Sequence, residues 1–393
     1  MSDDVRDLLR TIAKVGSRHP SPPDLTRIEP FASFLDPRGA LDSSALDRRE
    51  GCCTRRELVL RFLVLSAVLD QGPDIEGVRS LVRQVTNELY RREVRFLHQP
   101  AAFFQEIGIA IDRILADHAS VKKVRAEIWA RENHSSPSRY NLFMDGTRQV
   151  LNYAIFRWGV PLALPLLLTR DESDDDRQAD VLCRCLGSYP SAEKMSRGLK
   201  SDERYGLGKA IGDKACHLFA KWAVGSLPLL SSDEPNWGEL SFEPPFDSNA
   251  GRVLWRTGFF LHWADEQAYR DKDVIRPRAG KEGLNHIRVT NIRGIKATVS
   301  LPSRVREAYD DLCCRHLCTH KRGPQSVDIQ RICGAYLLAD GGARGIAELD
   351  DGLIRVGTRY CLNHGEPKCA TCPLRRVCAA AQGESRLIDE YRT

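Results

Sequence analysis

The sequence predicts a mainly α-helical protein with two lobes. Helical periodicity, a single stretch noted for strand-like alternation, and the chain length bear on this expectation. Apolar residues recur at helical spacing in stretches such as 58–69 and 75–90. The alternation typical of strands stands out at 287–300, which reads IRVTNIRGIKATVS. A chain of 393 residues can bury enough apolar surface for two lobes. We therefore expect an all-α architecture in two lobes.

Boundary signals place the individual helices. Thr54–Glu57 has the Thr-x-x-Glu spacing of a capping box ahead of the apolar run 58–69. Gly72 and Pro73 then interrupt the pattern before an amphipathic helix at 75–90. Further helices are predicted at about 100–131, 248–264, 303–320, 325–339 and 343–360. Residues 1–53 are rich in Pro, Asp and Ser and predict an irregular arm.

Composition indicates a cytoplasmic globular protein. Hydrophobic residues make up 42% and charged residues 28% of the chain, and the formal net charge is +5. The longest apolar run, 160–168, has nine residues including two prolines, which is too short to cross a bilayer. Thirteen cysteines in such a chain favour metal, cofactor or buried thiols over disulfides. Eight Lys/Arg against three Asp/Glu at 270–296 make that segment a candidate DNA contact.

A cysteine tail near the C-terminus is the most specific motif. It reads CLNHGEPKCATCPLRRVC, with the ligand spacing C-x7-C-x2-C-x5-C formed by Cys361, Cys369, Cys372 and Cys378. Four soft thiolates within 18 residues can wrap one metal centre. Zinc is the alternative, although zinc ribbons usually place two C-x2-C pairs far apart. One pair flanked by two single cysteines favours a [4Fe-4S] cluster.

The tail resembles the iron–sulfur loop of helix-hairpin-helix DNA glycosylases, the group of endonuclease III and the adenine glycosylases. Their loop is spaced C-x6-C-x2-C-x5-C, so this chain carries one extra residue in the first gap, which a loop tolerates easily. The Pro-Lys-Cys before the pair and the Cys-Pro-Leu after it also match. The resemblance implies that Lys368, Arg375 and Arg376 on this loop contact DNA phosphates.

A second segment, PFDSNAGRVLWRTG at 245–258, resembles the part of the family in which an aspartate opens a helix. The matching positions include Asp247, Asn249 and Arg252. Cleaving an N-glycosidic bond develops positive charge on the sugar, and a fixed carboxylate stabilises that charge. The resemblance therefore implies a catalytic role for Asp247 and a DNA contact for Asn249. An aspartate here is also an ordinary N-cap.

A third segment, GLGKAIGDKACHLFAKW at 206–222, resembles the DNA-binding hairpin of the family. In that hairpin a glycine turn presents backbone N–H groups to a phosphate, and Gly212 falls at this place. Lys214 falls where bifunctional members carry the lysine that forms a Schiff base with C1′. Ala210 replaces the first glycine of the hairpin and Ala215 replaces a threonine. A phosphate contact or a surface lysine is the alternative for Lys214.

The N-terminal helices carry the fourth likeness. Gln71 falls where the family inserts a glutamine into the gap left by the flipped base, although it also suits the end of a helix. The resemblance implies a two-lobed glycosylase fold divided as follows: an arm at 1–53; a helical lobe at 54–264 that includes an insertion at 111–205, the hairpin 206–222 and the helix 247–264; an insertion with a basic segment at 265–340; and a helix with the cluster loop at 341–393.

The resemblance implies a monomeric, nucleoid-associated DNA glycosylase. Its partner is double-stranded DNA with a damaged or modified base, and Lys214 would add an AP-lyase step. The unmatched insertions make a bulky modified base a further hypothesis. Two alternatives stay open: a non-catalytic iron–sulfur protein that binds DNA and regulates, and a zinc-containing nucleic-acid adaptor.

Overall fold

The protein is mainly helical, as predicted, with 65% of the described residues in helices. This computed structural model describes residues 2–20, 22–70, 75–106, 110–112, 161–168, 179–189, 192–202, 213–227, 229–230, 245, 248–259, 274–275, 288–289, 345–362 and 365–390. The chain divides into two compact units. Unit 1 joins Met1–Ser21 to Gly238–Thr393, and unit 2 is Pro22–Trp237. The division differs from the predicted one, because the helix after Asp247 groups with the cysteine tail and not with residues 54–220.

Unit 1 is built around two helices from opposite ends of the chain, α1 (Ser2–Ser17) and α9 (Ile346–Arg359). The irregular arm predicted at 1–53 is therefore wrong for its first part. The buried residues of α1 follow the i, i+3, i+4, i+7, i+8 spacing of a helix face: Val5, Leu8, Leu9, Ile12 and Ala13. Helix α1 packs against α9.

Helix α8 (Ser248–Arg256) completes the frame of unit 1 and packs against α9. The helix predicted at 248–264 ends early, because Gly258 takes a left-handed conformation with φ of 78° just beyond it. The two helices approach closely at Gly357, where an added Cβ would lie 3.0 Å from Cβ of Asn249. A short helix, α10 (Arg386–Glu390), follows the cysteine tail and contacts α8.

Unit 2 is organised around α2 (Arg55–Leu69), whose residues are buried from Glu57 onward. The near-continuous apolar sequence explains this, since a helix that is apolar on all sides has to be enclosed. The unit also contains a 3-10 helix (Glu29–Phe34), the strands β1 (Arg49–Glu50) and β2 (Cys53–Thr54), and the helices α3 (Ile75–Arg91), α4 (Pro100–Glu106), α5 (Val181–Gly187), α6 (Ala192–Ser201) and α7 (Asp213–Ala220). Helix α2 contacts β2, α3, α5 and α7. Strands β1 and β2 form an antiparallel pair.

The predicted capping box at the start of α2 forms only by half. The Thr54 hydroxyl accepts from the Glu57 N–H at 3.3 Å, as expected. The Glu57 carboxylate instead accepts from the N–H groups of Leu182 and Cys183 at the start of α5, at 3.0 and 2.9 Å. It also pairs with Arg61 at 2.8 Å. A tertiary contact has taken the place of the local one.

Elsewhere, β3 (Val274–Ile275) and β4 (Arg288–Val289) form an antiparallel pair. The second of these falls within the predicted strand region 287–300. The helices predicted at 303–320 and 325–339, and most of the insertions, lie outside the described residues. Among the helices that the structure describes, none has the length and apolar character needed to cross a membrane.

Candidate metal centre

The cysteine tail follows α9 directly. The Cys361 N–H donates to the Val356 carbonyl at 2.8 Å, which continues the hydrogen-bonding of the helix end. Cys369–Thr371 form a 3-10 turn, and the Cys372 N–H donates to the Cys369 carbonyl at 3.3 Å. The C-x2-C spacing is thus one tight turn that carries a cysteine at each end. Cys378 comes just before a second 3-10 turn, Ala379–Gln382.

All four cysteines line one pocket in unit 1. The pocket holds about 390 Å³ of empty space, the part open to solvent included, of which about 20 Å³ admits the centre of a water molecule. Its other walls are largely apolar and include Val253, Val356 and Leu374. No three His, Cys, Asp or Glu side chains in the described parts of the chain are grouped to hold a single metal ion. The four thiols surround a shared space without meeting at one point.

Burial and the neighbouring sulfurs raise the pKa of three of these thiols, those of Cys369, Cys372 and Cys378. Burial, with smaller contributions from the neighbouring sulfurs of Cys378, Cys361 and Cys369, raises the pKa of Cys372 to about 11. Burial also raises the pKa of Cys369 and Cys378, each with a contribution from the other cysteines. A cationic centre reverses this effect, because it favours the thiolate form of every ligand. The donor set of four adjacent soft sulfurs fits an iron–sulfur cluster and also fits zinc.

Arg256 connects the last turn of α8 to the cysteine tail. The residue is 2% exposed. Its guanidinium donates to the Cys361 sulfur at 3.6 Å and to the Leu362 carbonyl at 2.7 Å. The Cys378 thiol in turn donates to the Arg256 carbonyl at 3.4 Å. Both ends of the cysteine motif are thereby held by one residue.

Arg252, one turn earlier on the same face of α8, also donates hydrogen bonds to the cysteine tail. It donates to the Cys361 carbonyl at 2.6 Å and to the Gly357 carbonyl at 2.8 Å. It also donates to Oδ1 of Asn249 at 2.7 Å. Asn249, predicted as a DNA contact, is therefore half-buried and engaged in orienting Arg252. Sequence reasoning matched Arg252 to a family motif but gave it no role.

Three cations on the loop are exposed to solvent. Lys368 comes just before Cys369, whereas Arg375 and Arg376 lie between the third and fourth cysteines of the pattern. Arg375 also borders the cysteine pocket. Their backbone is fixed by local bonds, such as the one from the Gln382 side chain to the Arg375 carbonyl at 2.7 Å. The backbone that carries Arg375 is therefore held by a hydrogen bond within the loop.

The remaining predicted site residues are only partly placed. Lys214 lies in the first turn of α7 and is partly exposed. Asp247, Gln71 and Gly212 lie outside the described residues. Asp247 immediately precedes Ser248, the first residue of α8, so the chain connectivity alone joins it to the helix that carries Arg252 and Arg256.

The structure adds one residue that sequence reasoning left out. Arg256 was not singled out, although it stands four residues after Arg252 and so shares a helix face with it. That spacing was the signal available in the sequence. No family model, no curated protein and no solved structure matches this chain.

Proposed function

We propose that this protein is a helix-hairpin-helix DNA glycosylase with a [4Fe-4S] cluster held by Cys361, Cys369, Cys372 and Cys378. The observation that carries the proposal is the set of hydrogen bonds from Arg252 and Arg256 to the cysteine tail. Two segments that resemble the family separately, 245–258 and 361–378, are packed together in one compact unit. Chance likenesses at distant positions have no reason to meet in this way.

Asp247 supplies the chemistry in this proposal. As the base leaves, the C1′–N bond breaks, its electron pair goes to the base nitrogen, and positive charge develops on the sugar. The ionised carboxylate stabilises that charge. A water molecule then adds its oxygen to C1′ and gives its proton to the carboxylate. In a bifunctional enzyme the amine of Lys214 replaces the water and forms a Schiff base with C1′.

Several groups of the chain would contact the DNA substrate in this proposal. Lys368, Arg375 and Arg376 are exposed cations that suit contacts with phosphate oxygens. Gly212 would offer a backbone N–H to a further phosphate, and Gln71 would fill the stack vacated by the flipped base. Asn249 belongs to this interface through the backbone at the start of α8. The partner is double-stranded DNA carrying a damaged or modified base.

The cluster has a structural role in this proposal. When bound, it supplies four metal–sulfur links that fix the loop between α9 and α10. The protein's own residues do the rest: the two buried arginines hold Cys361 against α8, and the loop cations face solvent. We expect no redox step in base removal.

The test is turnover of purified protein on a panel of duplexes that carry oxidised, alkylated, deaminated or bulky modified bases. We expect Asp247→Asn to lower base release by about 10²–10³-fold while duplex binding is kept. Asp47→Asn, at an exposed aspartate of unit 2, is the matched control and should release base like wild type. Borohydride trapping of a covalent complex that Lys214→Gln abolishes would identify the bifunctional route.

Two results would overturn the catalytic proposal. If Asp247→Asn released base as fast as wild type, the assigned carboxylate would be wrong. If wild type bound duplex DNA but released no base from any member of the panel, a non-catalytic DNA-binding protein would be the better description.

A further inference from the structure

Two neighbouring cysteines of unit 2, Cys52 and Cys53, have no part in the proposed function. Cys52 lies in the turn between β1 and β2, and Cys53 is the first residue of β2. Their sulfur atoms are 3.6 Å apart. Successive side chains of a regular strand point to opposite faces, so this short distance depends on the bend of the hairpin. Gly51, whose φ is 68°, allows that bend.

The two thiols differ in their access to solvent. Cys53 is fully buried, whereas Cys52 is partly exposed. A dissolved reagent therefore reaches the sulfur of Cys52 first, and the sulfur of Cys53 lies directly behind it. Cysteines that respond to oxidants are typically accessible and have a second cysteine beside them that completes the reaction.

A buried cation lies beside this pair. The Arg61 guanidinium donates to the His98 carbonyl at 3.1 Å, and the Cys52 thiol donates to the same oxygen at 3.7 Å. Burial raises the pKa of Cys53 to about 12, and the positive charge of Arg61 acts in the opposite direction. Because an arginine stays protonated, it stabilises the negative charge that the Cys53 sulfur gains as it gives up its proton.

We propose that Cys52 and Cys53 form a reversible disulfide when a peroxide reaches the hairpin. With hydrogen peroxide, the Cys52 thiolate attacks one oxygen, the O–O bond breaks, and Cys52 becomes a sulfenic acid. The hydroxide that leaves takes up the proton released by Cys52. The Cys53 sulfur then attacks the Cys52 sulfur, the S–O bond breaks, and the oxygen leaves with the Cys53 proton as a second water molecule. Two thiols thus lose two electrons and two protons, and the peroxide is reduced to two water molecules.

A disulfide between adjacent residues is suited to reversal. Their Cα atoms are about 3.8 Å apart, below the usual range of about 4.4–6.8 Å for bridged cysteines. The bond is therefore strained, and strained disulfides are readily opened by thiol reductants. Its formation also removes the proton that Cys52 donates to the His98 carbonyl, so the oxidised hairpin loses a contact with the segment after α3. The inference needs no residue of the cysteine tail and stands apart from the glycosylase proposal.

The test is peptide mapping of the full chain after graded doses of hydrogen peroxide. Catalase removes the peroxide, and N-ethylmaleimide then blocks the remaining free thiols. Trypsin cuts after Arg49 and Arg55, so peptide 50–55 contains these two cysteines and no other. We expect this peptide to lack two hydrogen atoms, to carry no maleimide, and to revert with dithiothreitol. The disulfide should form roughly tenfold faster than Cys216, a buried cysteine of the same unit, loses its free thiol.

A variant separates the two steps. Cys53→Ser removes the second thiol, so Cys52 should accumulate as a sulfenic acid that dimedone traps. Wild-type protein should give little of this adduct, because Cys53 closes the disulfide first. Cys216→Ser is the matched control and should behave like wild type. If Cys53→Ser fails to fold, wild-type chain unfolded in urea serves instead, because loss of the hairpin bend should slow closure and increase trapping by dimedone.

Three results would overturn the proposal. In the first, peptide 50–55 stays reduced at doses that oxidise Cys216. In the second, Cys52 is oxidised to a sulfinic acid or linked to a cysteine elsewhere while Cys53 keeps its free thiol. In the third, the folded and the unfolded chain close the disulfide equally fast, which would show that the hairpin does not position the two sulfur atoms.

Discussion

At the scale of single residues, Arg256 is a buried cation whose side chain joins three parts of unit 1. It bonds to Cys361, Leu362 and, at 3.3 Å, the Ile388 carbonyl of α10. Arg256→Met keeps much of the volume but leaves those carbonyls without a donor. We expect it to lower the free energy of unfolding by about 2–4 kcal/mol, measured by urea denaturation. Arg376→Met, at an exposed position of the same loop, should change it little; equal losses from both variants would contradict the role of Arg256.

His98 makes the stability of unit 2 depend on pH. Its Nδ1 lies 2.9 Å from the Tyr90 hydroxyl, and burial lowers its pKa from 6.5, helped by Arg95 and Arg61. The unfolded chain therefore takes up a proton at a higher pH than the folded chain. The stabilisation is complete above about pH 6.5 and declines as the pH falls below it, by at most about 1.4 kcal/mol per pH unit.

His98→Phe should remove this slope. We would measure unfolding by urea at pH 7.5 and 5.5 for the wild type, for His98→Phe, and for His19→Phe at an exposed position. The expected result is a smaller loss on acidification for His98→Phe alone. A loss equal to that of wild type would show that His98 does not carry the pH dependence.

At the scale of elements, the packing of α1 on α9 depends on two glycines. A Cβ at Gly352 would collide with the Ile12 carbonyl, and one at Gly16 would collide with the Glu348 carbonyl. Because both obstacles are backbone atoms, the helices have to separate. We expect Gly352→Ala to destabilise unit 1 by about 1–3 kcal/mol, measured by urea denaturation. Gly187→Ala, which meets no atom within 4 Å, should not destabilise the protein. Wild-type stability of Gly352→Ala would contradict the close contact.

The elements also show what the sequence could predict. The boundaries of α2, α3 and α9 followed from apolar spacing, because each helix carries its signal locally. Helix α1 was not predicted, because the Pro-, Asp- and Ser-rich composition of 1–53 is typical of irregular structure and masks the regular apolar face of its first 17 residues. The contact of Gly16 with α9 joins residues more than 300 positions apart in the chain. Local sequence patterns likewise do not predict that the Glu57 carboxylate accepts from the Leu182 N–H of α5 instead of capping α2.

For the candidate site, too, the sequence predicted the residues that share a local motif but not those that depend on tertiary packing. Cysteine spacing predicted a set of ligands, and the structure brings these four residues around one pocket. The two buried arginines that anchor the set depend on how α8 and α9 meet, which spacing does not encode.

At the scale of the whole molecule, the proposed DNA interface predicts a dependence on salt. If Lys368, Arg375 and Arg376 each neutralise a phosphate, the observed association constant for DNA, Kobs, falls as salt is added. Replacing one of these residues then makes the slope of log Kobs against log salt less steep. We expect the single Gln variants to reduce the slope by about 1 each, measured by fluorescence anisotropy on one duplex. Arg38→Gln, at a side chain that is 90% exposed in unit 2, is the control. An unchanged slope in all three loop variants would place the DNA elsewhere.

The central claim is that Cys361, Cys369, Cys372 and Cys378 hold an iron–sulfur cluster. The most direct measurement is visible absorption with iron, sulfide and zinc analysis of protein purified without oxygen, alongside Cys372→Ala and, as control, Cys216→Ala at a buried cysteine of unit 2. We expect brown protein with about four irons per chain, which Cys372→Ala loses and Cys216→Ala retains. Colourless protein with one zinc per chain would contradict it.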